Sequence, residues 1–192
     1  KPEDQPRFLS RIHQEADRLV ALINDILRLS QLDEGGALPH EQVSVLELAQ
    51  EAARSLTAQA AAQAVHISVT GTVGTVFGVR RLLYEIARNL CENAVKYNVP
   101  GGSVTVEVAE TDRDVALLVR DTGIGLPEGD QSRVFERFYR VDKSHSRAIG
   151  GTGLGLSIVK HAVAYHHGTL RLESQLGKGT VITVTLPKKP TE

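Results

Sequence analysis

The sequence predicts an α+β protein: a two-layer sandwich in which helices cover one face of a mixed sheet, preceded by a long bundle-type helix. Three observations point to it. Apolar residues recur at alternating spacings of four and three over residues 7–33, Val-rich alternating runs occupy 103–108 and 115–120, and amphipathic helical patterns lie at 45–64, 79–97 and 154–166. With 41% hydrophobic residues in 192, the chain can bury one ordinary core, so disorder is excluded as its default state.

In the first element Ile12, Ala16, Leu19, Ile23 and Ile26 form the seam of a coiled coil or bundle, and Leu9, Val20, Leu22, Leu27 and Leu29 widen it beyond two strands. Such a helix needs a partner, so self-association through it is expected. The segment Glu34-Gly35-Gly36-Ala37-Leu38-Pro39 stops it, and a boundary is expected there, with residues 1–36 apart from a second domain at 37–192. An Ala-rich helix over 45–64 follows, then a strand at 66–70, a helix at 79–97 and two adjacent strands joined by a polar turn at 110–114. Residues 121–155 are rich in Gly and charge and too long for a plain connector, so they read as a lid. A helix over 154–166 and strands at 169–174 and 180–186 close the sandwich.

Charge narrows the function classes. Twenty-two Lys and Arg against 23 Asp and Glu leave a net charge of −1, which argues against a nucleic-acid or membrane binder working through its whole surface. No run approaches the roughly 18 apolar residues of a membrane span, and no signal peptide opens the chain. The lone Cys91 cannot form an internal disulfide, so a reducing compartment and an inert packed thiol are expected. The chain starts at Lys1 and holds no Met, as expected of a piece cut from something larger.

Three glycine clusters carry the chemistry: Asp121-Thr122-Gly123-Ile124-Gly125, Gly150-Gly151-Thr152-Gly153-Leu154-Gly155 and Gly177-Lys178-Gly179-Thr180. Such loops present backbone N–H groups to phosphates, and the second opens a helix whose N-terminus favours anions. Before them, Asn89 and Asn93 share one helix face with Lys96 and Tyr97 at its end. Amide oxygens are hard ligands suited to Mg²⁺, and Lys96 supplies a compact positive charge. Either Asn alone would be read as a surface amide.

The segment Asn89-Leu90-Cys91-Glu92-Asn93-Ala94-Val95-Lys96-Tyr97 resembles the N box of sensor histidine kinases. Residues 121–125 look like the G1 box, Val134-Phe135-Glu136-Arg137-Phe138-Tyr139-Arg140 the F box and 151–155 the G2 box, in the family's order. The resemblance covers residues 43–187 and implies a Bergerat-type ATP-binding fold, with 7–33 similar to the second helix of the dimerisation and phosphoacceptor hairpin. It implies that Asp121 accepts from the adenine amine, with Gly123 and Gly125 bringing backbone to the base. Asn93 would hold Mg²⁺ with help from Asn89. Lys96 and Arg140 would meet phosphate charge, Tyr97 would lie against adenine, and Gly151, Thr152, Gly153, Leu154 and Gly155 would wrap the triphosphate. The Thr180 hydroxyl would complete the adenine pocket, Phe135 and Phe138 would anchor a lid at 129–149, and Glu92 is a candidate base.

Asn89 stands where related gyrase-type ATPases carry a water-activating glutamate, so hydrolysis is expected to be slow. No histidine here has the phosphoacceptor pattern of a histidine followed by an acid and Leu-Arg-Thr-Pro. His13 reads as bundle packing, His40, His66 and His145 as solvated, and His161, His166 and His167 lack the spacing of zinc ligands. The resemblance therefore implies a two-component kinase region that donates the ATP γ-phosphoryl group to a histidine outside this chain, and thence to an aspartate of a response-regulator receiver domain. The parent would dimerise through the bundle helix and work in the cytoplasm, an inner-membrane anchor elsewhere in it staying open. The alternatives are an ATPase or serine-directed kinase on the same fold, or a non-catalytic nucleotide-sensing dimerisation module.

Overall fold

The computed structural model describes residues 38–141 and 152–189, together with Ala16, Leu19, Val20 and Ile23. These four are helical, and Leu19, Val20 and Ile23 are more than half exposed. The rest of the expected bundle helix lies outside the described residues.

The expected two-layer architecture is present. Strands β2 (His66–Gly71), β4 (Ser103–Glu110), β5 (Asp114–Asp121), β6 (Thr169–Gln175) and β7 (Gly179–Pro187) form one sheet in the order β2-β4-β5-β7-β6. The β2–β4 pair is parallel and the others antiparallel, so the sheet is mixed. Its inner face follows from period-two alternation: Val104, Val106 and Val108 on β4, Val115, Leu117 and Val119 on β5, and Ile182, Val184 and Leu186 on β7 are all buried. Register keeps them level, with Val106 opposite Val119 and Val119 opposite Ile182.

Against this face pack α1 (Val45–Ser55), α3 (Arg80–Lys96) and α4 (Gly155–Tyr165), through Leu48 and Ala52, Ile86 and Leu90, and Val159 and Val163. Cys91 is fully buried among them, and burial pushes its thiol up to about 12, the inert thiol expected.

Two features depart from the sequence reading. The single helix expected over 45–64 is two, α1 and α2 (Thr57–Ala62), separated at the buried Leu56. Ser55 Oγ donates to the Ala52 carbonyl and Thr57 Oγ1 to the Arg54 carbonyl, giving the end of α1 hydroxyl partners that compete with continued helix. A two-stranded sheet of β1 (Glu41–Ser44) and β3 (Thr75–Gly78) was not anticipated. Four residues are too few for periodicity to register. Ser44 ends β1 and caps α1, its Oγ accepting from the Glu47 N–H at 3.2 Å and donating to the Val73 carbonyl at 3.2 Å.

The far end of α4 is fixed by His166, which is 8% exposed. Its Nε2 accepts from the Val79 N–H at 3.0 Å, and its Nδ1–H donates to the Ala162 carbonyl at 2.7 Å. Only the neutral ring satisfies both partners, and burial accordingly lowers its pKa below the ordinary 6.5. Stability from a base whose folded pKa is lowered is present above the unfolded value and lost as pH falls below it, because the unfolded chain then takes up a proton that the fold refuses. Acidification below about 6.5 is thus expected to lower the melting temperature of the native protein more than that of His166→Gln, as thermal melts across pH would reveal. His40 is exposed as expected, yet its ring stacks on Phe77 and Tyr165 at 5.7 and 5.8 Å between centroids.

Candidate functional site

The buried stripe of α3 leaves Glu85, Asn89, Glu92, Asn93 and Lys96 half-buried on its other side. The first turn of α4 meets that side. Asn89 Nδ2 donates to the Glu85 carbonyl at 2.8 Å and to Glu85 Oε2 at 3.2 Å, which turns its Oδ1 toward Gly155, where a Cβ would come within 2.9 Å of it. The Asn93 amide makes no hydrogen bond among the described residues, and an amide oxygen held there half-buried fits a hard cation. Glu92 pairs with Arg88 one turn earlier at 3.3 Å.

At the C-terminal end of α3 the Tyr97 carbonyl accepts the Ile124 N–H at 3.0 Å and lies against Gly123, seating the 121–125 loop on the helix. Asp121 ends β5, and its Oδ1 accepts from the Gly123 N–H at 2.8 Å and the Thr180 N–H at 3.2 Å. Burial raises the Asp121 pKa, and these two N–H groups oppose the shift. The loop is locked to the β6–β7 turn as well. Gly125 sits where any Cβ would strike the Gln175 carbonyl, the Gly177 N–H donates to the Ile124 carbonyl at 2.8 Å, and the Leu126 N–H donates to Ser174 Oγ at 2.9 Å.

Charge gathers at one end of the site. Burial lowers the Lys96 pKa, with Glu92 raising it and Arg140 lowering it, so the two cations lie close enough to repel. Lys96 Nζ also stands 5.4 Å from the Tyr97 ring centroid, and burial raises the Tyr97 pKa.

The expected anchors of the lid need correction. Phe138 is 56% exposed and Phe135 half-buried, whereas Val134 is buried. Phe138 has φ of +65°, and its N–H donates to the Gly153 carbonyl at 3.0 Å, so its backbone does the anchoring. Tyr139 adds a second tie, its hydroxyl donating to Asp130 Oδ1 and its ring lying under the Arg133 guanidinium at 4.3 Å.

The structure thus brings together Asn89, Glu92, Asn93 and Lys96 on α3 with Tyr97 at its end, Asp121 at the end of β5 with Gly123 and Gly125 after it, Arg140 at the end of the F-box segment, Thr152 to Gly155 before and at the start of α4, and Thr180 on β7. Gly151, His145 and the remainder of the lid lie outside the described residues. Thr152 Oγ1 accepts from the Leu154 N–H at 3.3 Å, and Leu154 is fully buried. Sequence reasoning missed Ser174, Gln131, whose Nε2 donates to the Ser174 carbonyl at 2.9 Å, and the tie through Tyr139. Ser174 had a visible signal: it shares a strand face with Leu170 and Leu172, a hydroxyl in the apolar half of an alternation.

Comparison with known proteins decides the family. The profile of the histidine kinase-, DNA gyrase B- and HSP90-like ATPases matches residues 78–190, more than half of the chain. The chain belongs to this family. Within it the relatives are sensor histidine kinases, and residues 1–35 match the His Kinase A (phospho-acceptor) domain. The sensor-like histidine kinase SenX3 of Mycolicibacterium smegmatis is 39% identical over 98% of the chain and 50% of its own length. The structure of the mycobacterial sensor histidine kinase MprB, 32% identical, superposes with a TM-score of 0.69 over 80% of this chain and all of that one. Full-length ShkA, solved in complex with AMPPNP, is 26% identical with a TM-score of 0.81 over 98% of this chain and 40% of its own. The chain thus spans about half of SenX3 and less of ShkA. It is a histidine kinase ATP-binding domain, and the readings as a gyrase-like ATPase, a serine-directed kinase or a non-catalytic module are not favoured. No helix among the described residues is long and apolar enough to cross a membrane.

Proposed function

We propose that this domain holds ATP with its adenine against Asp121 and its phosphates between α3 and the first turn of α4. It then hands the γ-phosphoryl group to a histidine supplied by another segment, from which a response-regulator receiver domain takes it. The observation that carries the residue-level reading is the pairing of Asp121 and Asn93 at the two ends of one site. Asp121 is a half-buried carboxylate whose Oδ1 is committed to two backbone N–H groups, and Asn93 is an amide with no hydrogen bond among the described residues. A carboxylate accepts and the adenine amine donates, so Asp121 Oδ2 suits the base.

Lys96 and Arg140 balance phosphate charge, the Tyr97 ring flanks the base, and the N–H groups at the start of α4 meet phosphate oxygens. Asn93, assisted by Asn89 Oδ1, would hold Mg²⁺, whose chemistry is to neutralise phosphate charge during transfer. Asn89 cannot take a proton from water and Glu92 is engaged by Arg88, so the domain positions ATP without hydrolysing it quickly. Dimerisation through residues 1–36, a boundary at residue 37 and a cytoplasmic setting belong to the same reading.

The test mixes the chain with a separately made phosphoacceptor helix hairpin, Mg²⁺ and labelled ATP. Acid-labile phosphohistidine on the hairpin is expected, and Asn93→Ala should lower its rate by on the order of 100-fold. Release of free phosphate without transfer would overturn the reading in favour of an ATPase.

A further inference from the structure

Glu85, Asn89 and Asn93 follow one another at four-residue intervals along the half-buried side of α3, so their side chains share one ridge of the helix. An asparagine side chain carries an acceptor and a donor of nearly equal size, and a half-turn about its last bond exchanges them. Only one of these orientations offers an oxygen to a cation. The other offers two protons, which repel it.

Glu85 decides between them at Asn89. Asn89 Nδ2 lies 2.8 Å from the Glu85 carbonyl oxygen and 3.2 Å from Glu85 Oε2, so one residue meets the amide nitrogen with both a carbonyl and a carboxylate. Reversed, the amide would set its own oxygen against those two acceptors. Asn89 Oδ1 is therefore held away from Glu85, and it accepts no hydrogen bond among the described residues. It faces Gly155, where a Cβ would crowd it at 2.9 Å.

We infer that Glu85 is a positioning residue for the divalent cation: its carboxylate fixes the Asn89 amide with the oxygen outward, so that a hard ligand and not a donor meets Mg²⁺. The inference rests on the reading of Asn89 and Asn93 as the cation's partners. The amide nitrogen has two protons, and the Glu85 backbone carbonyl is one acceptor. The carboxylate supplies the second, and its charge strengthens the hold. A charged acceptor on the nitrogen also polarises the amide toward its oxygen, which makes Oδ1 the better ligand.

The experiment is calorimetric titration of the chain with ATP, once with Mg²⁺ and once with the metal chelated. The readout is the gain in ATP affinity that Mg²⁺ brings, because a residue that merely braces α3 moves both titrations alike. A gain on the order of 30-fold is expected for the native chain, and Glu85→Ala should cut it by about tenfold while leaving metal-free ATP binding within about twofold. Glu85→Gln, which keeps an oxygen within reach of Nδ2, should lose no more than about threefold of the gain. An unchanged gain in Glu85→Ala, or equal weakening of both titrations, would overturn the proposal. So would a glutamine variant as impaired as the alanine one, since the effect would then belong to the charge of Glu85 and not to its grip on Asn89. Asn89→Ala should lose the gain too, and adding Glu85→Ala to it should change the gain by less than about twofold. A further full loss in that double variant would show Glu85 acting without Asn89 and would also overturn the proposal. A native chain that gains nothing from Mg²⁺, or an Asn89→Ala variant that keeps the whole gain, would instead bring down the reading of the asparagines as cation partners.

Discussion

Asp121→Asn is expected to leave the fold intact and to weaken ATP binding by on the order of 100-fold or more. The asparagine oxygen can still accept from the Gly123 and Thr180 N–H groups that now hold Asp121 Oδ1. Its other terminal atom is an amide nitrogen, which offers protons where the adenine amine also offers them. Two donors then face one another in a half-buried pocket. Stability should move the other way. Burial raises the Asp121 pKa in the fold, so the ionised form is penalised there relative to the unfolded chain, and the neutral amide removes that penalty. A melting temperature no lower than native, beside calorimetry showing the lost affinity, is the expected pair of results. As pH falls toward the raised pKa, the native chain should lose ATP affinity while the already weak variant stays flat. Undiminished ATP binding by Asp121→Asn would remove Asp121 from the site.

Gly179→Ala is expected to be strongly destabilising. Gly179 has φ of +98°, and a Cβ built on it lands on the Asp121 carbonyl. Neither backbone can yield easily. Gly179 pairs with Gln175 across the β6–β7 ladder, and the next residue, Thr180, donates to Asp121. A cost of about 3 kcal/mol or more is expected, or roughly 10 °C in melting temperature for a domain of this size. Gly177→Ala is the control. It shares a positive φ, +78°, but nothing lies within 4 Å of its added carbon, so it should cost only about 1–2 kcal/mol of backbone strain. Similar melting temperatures for the two variants would show that the Asp121 backbone gives way after all.

Elements with long repeats were legible from the residues alone. Val104, Val106 and Val108 alternate cleanly on β4, and the buried positions of α3 recur on one helical stripe, so both were placed to within two residues at each end. Elements defined by partners were not. β1 and β3 exist because Val43 finds Val76 across a sequence gap that no local pattern reveals, and α1 ends at Ser55 because hydroxyls compete for its last carbonyls. Ser44-Val45-Leu46-Glu47 did carry a capping-box pattern that marks the start of α1. In the site, Asp121, Asn93 and the glycines were visible because their residue types are specialised. Ser174 carried only the weaker signal of a hydroxyl in the apolar half of the β6 alternation, and nothing local to Tyr139 marks its tie to Asp130 nine residues earlier.

The two ends of α4 touch very different things. Its opening residue, Gly155, abuts Asn89, while at its close Tyr165 stacks on His40 and His166, one residue on, is pinned to Val79. Eleven residues of helix make a rod about 16 Å long. A packed rod tilts as a unit, so any displacement of its Gly155 end would reappear at Val79 and His40, as at the two arms of a lever.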